Sequence, residues 1–249
     1  MKPVNEKNNN IQLIWKDTEA LSFAAAHYFV KLCNENIAKK GLFTVALSGG
    51  STPKRLYEIL SLTTFSRNIN WKKTLLFWGD ERFVPHTHGQ SNYKMTKEAL
   101  LDRVKIPGKN IFPIPTQGQP QICAQQYEAT IKNALGRSHS FDLTLLGMGD
   151  DGHTASLFPG TGILQEHKKL IKEVRLKDKQ TWRISFTYPL INKSKEIMYL
   201  IAGDNKAPVI KKIFSGRALK TSYPIQNVNP AKGTAVWMLD EAAAGGIFR

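Results

Sequence analysis

Leu42-Phe43-Thr44-Val45-Ala46-Leu47 is an apolar run of strand length that breaks directly into Ser48-Gly49-Gly50-Ser51-Thr52-Pro53. Such a run suits a strand buried on both faces, as in parallel sheets covered by helices. The glycines at the break let the backbone approach a ligand closely, and Ser51 and Thr52 add hydroxyls. Pro53 fits the first turn of a helix, and the stretch through Leu60 keeps helical spacing. The unit is strand, glycine-rich turn, helix. Free N–H groups and the positive end of the helix dipole meet at the turn, which makes it an anion site suited to a phosphate monoester; a structural strand-to-helix turn capped by Ser or Thr is the plainer reading. It lacks the lysine of a nucleotide P-loop and the three-glycine dinucleotide pattern, so ATP and NAD are disfavoured.

Working outward, the same alternation recurs. Ile11 to Trp15 reads as a strand, Asp17 as a cap, and Thr18 to Lys39 as a helix ending at Gly41. On the other side come a strand at Thr74 to Trp78, helices at Asn92 to Arg103 and Gln121 to Leu135, and a strand at Phe141 to Leu146. Further strands are predicted at Arg183 to Thr187, Ile197 to Ala202 and Thr234 to Leu239, with a helix at Asn205 to Phe214. The Pro-rich Ile106 to Pro120 reads as a loop. The expected fold class is α/β: a single open, mostly parallel, Rossmann-like sheet with helices on both faces. One domain over residues 1–249 is expected, with residues 1–10 flexible.

Composition sets bounds on function. At 249 residues, 41% hydrophobic and 22% charged, the chain suits one sizeable core and is too apolar for a disordered protein. No apolar run approaches the ~20 residues that cross a bilayer, so no membrane role is expected. The polar Met1 to Asn10 carries no apolar signal-type core, and a cytoplasmic protein is expected. Cys33 and Cys123 lie in apolar-periodic segments without metal spacing, as buried thiols do. The unusual number is charge: 35 Lys+Arg against 20 Asp+Glu leaves +15. A negatively charged partner is implied, either a nucleic acid, a membrane surface or a phosphorylated metabolite.

In open α/β sheets ligands sit beyond the carboxyl ends of the strands. Besides the glycine-serine turn, two other loops follow predicted strands there. Asp80-Glu81-Arg82 follows Thr74 to Trp78. Arg82 can fork onto a phosphate or carboxylate, and Asp80 can orient a hydroxyl or a base; a solvated loop with an internal ion pair is the plainer reading. Gly147-Met148-Gly149-Asp150-Asp151-Gly152-His153 follows Phe141 to Leu146. A neutral imidazole takes a proton from water near pH 7, and an adjacent carboxylate fixes its tautomer. The other histidines, His27, His86, His88, His139 and His167, have no comparable setting. No metal site and no serine-nucleophile elbow is present in the pattern.

Three segments carry a specific likeness: LSGGSTPKRLYEIL at Leu47 to Leu60, FWGDERFVPHTHGQSNYKM at Phe77 to Met95, and DLTLLGMGDDGHTASLFPG at Asp142 to Gly160. Ile191 to Ala207 and Gly233 to Ala244 match more weakly. The sequence resembles the 6-phosphogluconolactonases of the glucosamine-6-phosphate isomerase/6-phosphogluconolactonase superfamily. The resemblance implies hydrolysis of 6-phosphoglucono-δ-lactone to 6-phosphogluconate in the oxidative pentose phosphate pathway, without metal or organic cofactor. His153 matches the water-activating histidine, with Asp80 as an orienting or acid/base partner. Gly149, Asp151 and Gly152 shape the turn. Gly49, Gly50, Ser51 and Thr52 hold the phosphate with Arg82, and Lys206 and Arg183 match basic family positions. The implied partner is a small phosphorylated sugar lactone, and the assembly a monomer or weak homo-oligomer. Two stretches depart from the family pattern: where a Lys-Pro-Pro stretch precedes the arginine strand this chain reads Lys177-Asp178-Lys179-Gln180-Thr181-Trp182-Arg183, and Pro224-Ile225 replaces Pro-Ala.

Two other readings compete. A glucosamine-6-phosphate deaminase/isomerase shares fold and phosphate loop, but that branch favours Asp-Glu-Tyr over Asp80-Glu81-Arg82, and Asn-Glu-Pro over Ser156-Leu157-Phe158-Pro159. A non-enzymatic polyanion or nucleic-acid binder would use the +15. The positive residues are dispersed along the sequence, with no block of five and no recognised nucleic-acid module, so no nucleic-acid partner is expected.

Overall fold

The computed structural model describes residues 5–7, 9–176, 181–215 and 223–247. Of the Lys177 to Arg183 departure, residues 177–180 lie outside the described residues. β1 (Asn5–Lys7) and β2 (Asn10–Trp15) form an antiparallel edge, placing part of the N-terminal segment in the sheet. Helix α1 (Thr18–Lys40) starts where the Asp17 carboxylate accepts the Ala20 N–H at 2.8 Å, and stops at Gly41, whose φ of 84° disfavours a side chain. β3 (Phe43–Leu47) is wholly buried and leads into α2 (Ser51–Ser61). A short α3 (Thr63–Ser66) precedes β4 (Thr74–Trp78).

β5 (Asp80–Arg82) and α4 (Asn92–Ala99) follow. The helix expected through Arg103 breaks at Leu100, whose φ/ψ of −133°/−58° is not helical, and resumes as a 3₁₀ turn. Then come β6 (Ile111–Phe112), α5 (Pro120–Leu135) and β7 (Leu143–Leu146). β8 (Ile171–Leu176), β9 (Thr181–Phe186), α6 (Tyr188–Ile191), β10 (Glu196–Ile201), α7 (Ala207–Phe214), β11 (Thr234–Asp240) and α8 (Glu241–Ala244) complete the order.

The main sheet runs β1-β2-β11-β10-β7-β3-β4-β6, parallel at every pairing except the β1–β2 edge. From β3 the chain moves outward through β4 to β6, then returns to β7 and moves the opposite way. Right-handed crossovers in opposite directions place helices on opposite faces. Accordingly α1 packs on α2, while α5 packs on β8 and β9. The loops after β3 and β7 part at the switch point, where such sheets open a crevice.

A second, three-stranded antiparallel sheet, β5-β9-β8, stands beside the main one and is not foreseen in the sequence reading. The stretch read as a charged loop is one of its strands, and β8 had no assignment. Gly79 joins the sheets: its N–H donates to Leu47 C=O and its C=O accepts from Phe186 N–H, both at 2.8 Å. Cys33 and Cys123 are buried thiols, as the composition implied. Among the described residues, no helix is long and apolar enough to cross a membrane.

Candidate active site

The loops beyond β3 and β7, with β5 and β9, enclose a cavity of about 280 Å³. Gly49, Gly50, Ser51, Thr52, Asp80, Arg82, Gly149, His153, Arg183 and Lys206 all line it. Asp151 and Gly152 are outside its wall, in the turn that carries His153.

The first wall is the N-terminus of α2. Gly50 caps it at φ 106° and no side chain closes the cap, so the first-turn N–H groups stay open. The loop is fixed from below by Tyr57, a buried α2 side chain. Its hydroxyl accepts from Ser48 N–H at 2.9 Å and donates to Ser48 C=O at 2.8 Å. Burial pushes the Tyr57 phenol well above its usual range, so it stays a donor. Gly49 cannot be replaced cheaply, because a Cβ there would sit 2.0 Å from Asn92 Oδ1.

The second wall is β5, where strand alternation divides the Asp80-Glu81-Arg82 triplet. Asp80 and Arg82 share one face. Glu81 turns the other way and caps α4, accepting from the N–H groups of Asn92 and Tyr93 at 2.8 Å and from Ser91 Oγ at 3.0 Å. Burial pushes the Glu81 carboxyl up in spite of these donors. Arg82 lies directly across from Arg183 of β9. Opposed residues of an antiparallel pair project to the same side, so two guanidinium groups and the Asp80 carboxylate are neighbours. Arg183 Nη1 is 3.9 Å from Asp80 Oδ2. Ser156 Oγ donates to the same carboxylate oxygen at 2.6 Å, and Asn92 Nδ2 donates to the Asp80 carbonyl at 2.9 Å. Burial lowers the Arg183 pKa and Asp80 opposes that effect. The Nε groups of both Arg82 and Arg183 are buried without a partner. Lys206, on the 3₁₀ turn Asp204–Lys206 after β10, adds a further cation to the wall.

The third wall is the turn after β7. Asp151 Oδ1 accepts from His153 N–H at 3.0 Å and contacts His153 Nδ1 at 2.5 Å. Burial raises the Asp151 pKa, but the His153 backbone and ring outweigh it and hold the carboxyl below its usual range. The imidazole stacks on Phe158 with centroids 4.0 Å apart. Gly149 makes room for the ring, since a Cβ there would lie 2.1 Å from Nδ1. Gly152, at φ 74°, lies under Tyr223, and its C=O accepts from Ile225 N–H at 3.1 Å. The Pro224-Ile225 departure therefore packs on the histidine turn. Ala155 lines the cavity at φ 47°, which stores backbone strain there.

The carboxylate touching His153 is Asp151, whereas Asp80 is held by Ser156, Asn92 and Arg183. Asn92, Ser156 and Phe158 were not singled out. All three fall within the segments quoted for the resemblance, but only their contacts across sequence reveal what they hold.

Residues 16–237 match the family described as glucosamine-6-phosphate isomerases/6-phosphogluconolactonase. A relative named 6-phosphogluconolactonase, from Nostoc sp. (strain PCC 7120), is 44% identical over 212 residues, 83% of this chain and 85% of that protein. The protein of that name from Haemophilus influenzae is 35% identical over 227 residues, 90% of this chain and 97% of its own. The solved 6-phosphogluconolactonase from Trypanosoma cruzi superposes with a TM-score of 0.83 at 26% identity, covering 95% of this chain and 96% of that one. With this fold, this cavity and these relatives, the chain belongs to the glucosamine-6-phosphate isomerase/6-phosphogluconolactonase family.

Proposed function

We propose that the chain hydrolyses 6-phosphoglucono-δ-lactone to 6-phosphogluconate. One observation carries the reading: a histidine held by a carboxylate shares a single cavity with an uncapped helix N-terminus and three cationic side chains. The phosphate lies on the Gly49 to Thr52 loop with Arg82, Arg183 and Lys206, and positions the distant lactone carbonyl. With Nδ1–H donated to Asp151, Nε2 of His153 is free to take a proton from water. The hydroxide adds to the carbonyl and forms the tetrahedral oxyanion. Collapse breaks the ring C–O bond, and the imidazolium returns its proton to the departing ring oxygen. Asp80 orients the substrate or the water from its Ser156 and Asn92 contacts.

The test generates the lactone by NADP-dependent oxidation of glucose 6-phosphate and follows its decay with and without the purified protein. Acceleration over spontaneous opening is expected, and its absence would sink the reading. Ammonia release from glucosamine 6-phosphate, assayed in parallel, would instead favour the deaminase branch.

A further inference from the structure

The cations scattered along the sequence are gathered in space. Because the strands from β6 across to β11 are parallel, their N-terminal ends share one edge, opposite the cavity. An exposed cation precedes each of them: Lys40 before β3, Lys72 before β4, Lys109 before β6, Arg137 before β7, Lys193 before β10 and Lys232 before β11. Acids at this edge, among the described residues, are Asp142, which is buried, Asp102, which already pairs with Lys97, and Glu196, the half-buried first residue of β10, which accepts from the Tyr28 hydroxyl. Helix C-termini favour cations at this edge, but of these six only Lys40 belongs to the last turn of an α-helix.

A groove of about 730 Å³ lies in the middle of the edge, with Lys40, Lys193, Lys195 and Lys232 around Leu42 and Leu135. Lys40 and Lys195 both pair with Asp142, each at 2.9 Å. Lys193 and Lys232 have no ion-pair partner among the described residues. We propose that this edge docks an acidic segment of a partner protein, with an apolar side chain of that segment seated in the groove. Six neighbouring strands span about 24 Å, which an extended peptide of about seven residues matches. The charge needs a polyanion, since a small anion would meet only the groove lysines. A nucleic acid fits less well. Phe65, Trp71 and Phe141, aromatic side chains that these connections carry, are buried and offer no stacking platform, and a phosphate backbone has nothing to place against Leu42 and Leu135. The catalytic cavity opens at the far edge, so a docked partner leaves it free.

The test uses fluorescence anisotropy of the full chain with a labelled Glu-rich peptide carrying a central Leu-Leu pair. Binding that weakens steeply between about 50 and about 200 mM salt is expected. The double variant Lys193→Glu/Lys232→Glu should bind about tenfold or more weakly, with melting temperature and lactone hydrolysis unchanged. Lys168→Glu/Lys169→Glu, with the same charge change on exposed residues beside the antiparallel sheet, should bind like the parent. A peptide without the leucines should bind several-fold more weakly. No peptide binding, equal losses in both double variants, or an undiminished leucine-free peptide would overturn the proposal. So would tighter binding of single-stranded RNA, or of phosphatidylserine vesicles, at matched charge.

Discussion

Replacing Gly149 by alanine tests whether the exact seat of the His153 ring sets the rate. The added methyl would lie 2.1 Å from Nδ1, 2.2 Å from Cε1 and 2.6 Å from Asp151 Oδ1, where ordinary contact begins at 3.4 Å. The ring must therefore retreat by about 1.3 Å or rotate, and Phe158, stacked at 4.0 Å, narrows the room for either. A misplacement near 1 Å costs about 10²-fold in rate, close to 2.7 kcal/mol of barrier. The phosphate loop is untouched, so KM should stay within about threefold. Gly147→Ala is the matched control, since nothing lies within 4 Å of its added methyl and activity should persist. Steady-state decay of the lactone, corrected for spontaneous opening, gives both constants, and a melting curve shows that the variant folds. A Gly149→Ala enzyme with kcat within about threefold of the parent would refute the reasoning, as would an equal loss in Gly147→Ala.

Three further outcomes are expected. His153→Ala should lose about 10²- to 10⁴-fold in kcat with KM little changed, read by the same assay. Arg82→Met should raise KM at least about tenfold with little change in the ligand-free melting temperature, because the Arg82 Nη1 bond to the Gln90 carbonyl at 2.7 Å is exposed and its loss is offset by removal of a like-charged neighbour of Arg183, with the Asp80–Arg183 contact left in place. Asp142→Asn should cost about 2 kcal/mol in urea unfolding at pH 7, below the range for fully buried pairs because Lys40 and Lys195 keep access to water. Burial raises the Asp142 pKa, but Lys195, Lys40 and Thr44 outweigh it and hold the folded value below 3.8. Its stabilisation is thus full above the unfolded value and lost as pH falls through the folded one. The variant's stability should therefore fall less steeply in that acid window.

What was legible in the sequence was whatever a local pattern encodes. The β3-turn-α2 unit shows in an apolar run, a Gly-Gly pair and a helix-compatible proline, all within twelve positions of one another. The antiparallel sheet was not legible, since Ile171–Leu176 mixes charges into its alternation and Asp80–Arg82 is wholly charged. Both become strands because β9 pairs with them, β8 from the adjoining stretch of sequence and β5 from about a hundred residues away, where pairing leaves no local trace. The motifs named residues that line the cavity, yet not the contacts that hold them. Asp151 and His153 are two positions apart, but only the turn brings carboxylate and ring together. The basic edge was hidden too, since the few cations on each of six separate connections, never more than two adjacent, form no run.

The pairing of Arg82 with Arg183 argues for a ligand more strongly than any single motif. Like charges directly opposed on a sheet destabilise it, and a buried N–H without a partner costs about 1–3 kcal/mol. Here both penalties fall on the same two side chains, whose Nε groups are buried and unpartnered. Asp80 does not balance them: it lies 3.9 Å from one guanidinium, and its Oδ2 is already taken by Ser156. Adding Lys206 and the open N-terminus of α2 leaves the cavity wall with a positive excess that the protein itself does not satisfy. The phosphate dianion of the proposed substrate would supply the missing charge and several acceptors at once. On the proposed reading the wall is shaped for the bound state, and part of the substrate's binding free energy would offset the cost that these unpartnered cations carry in the empty fold.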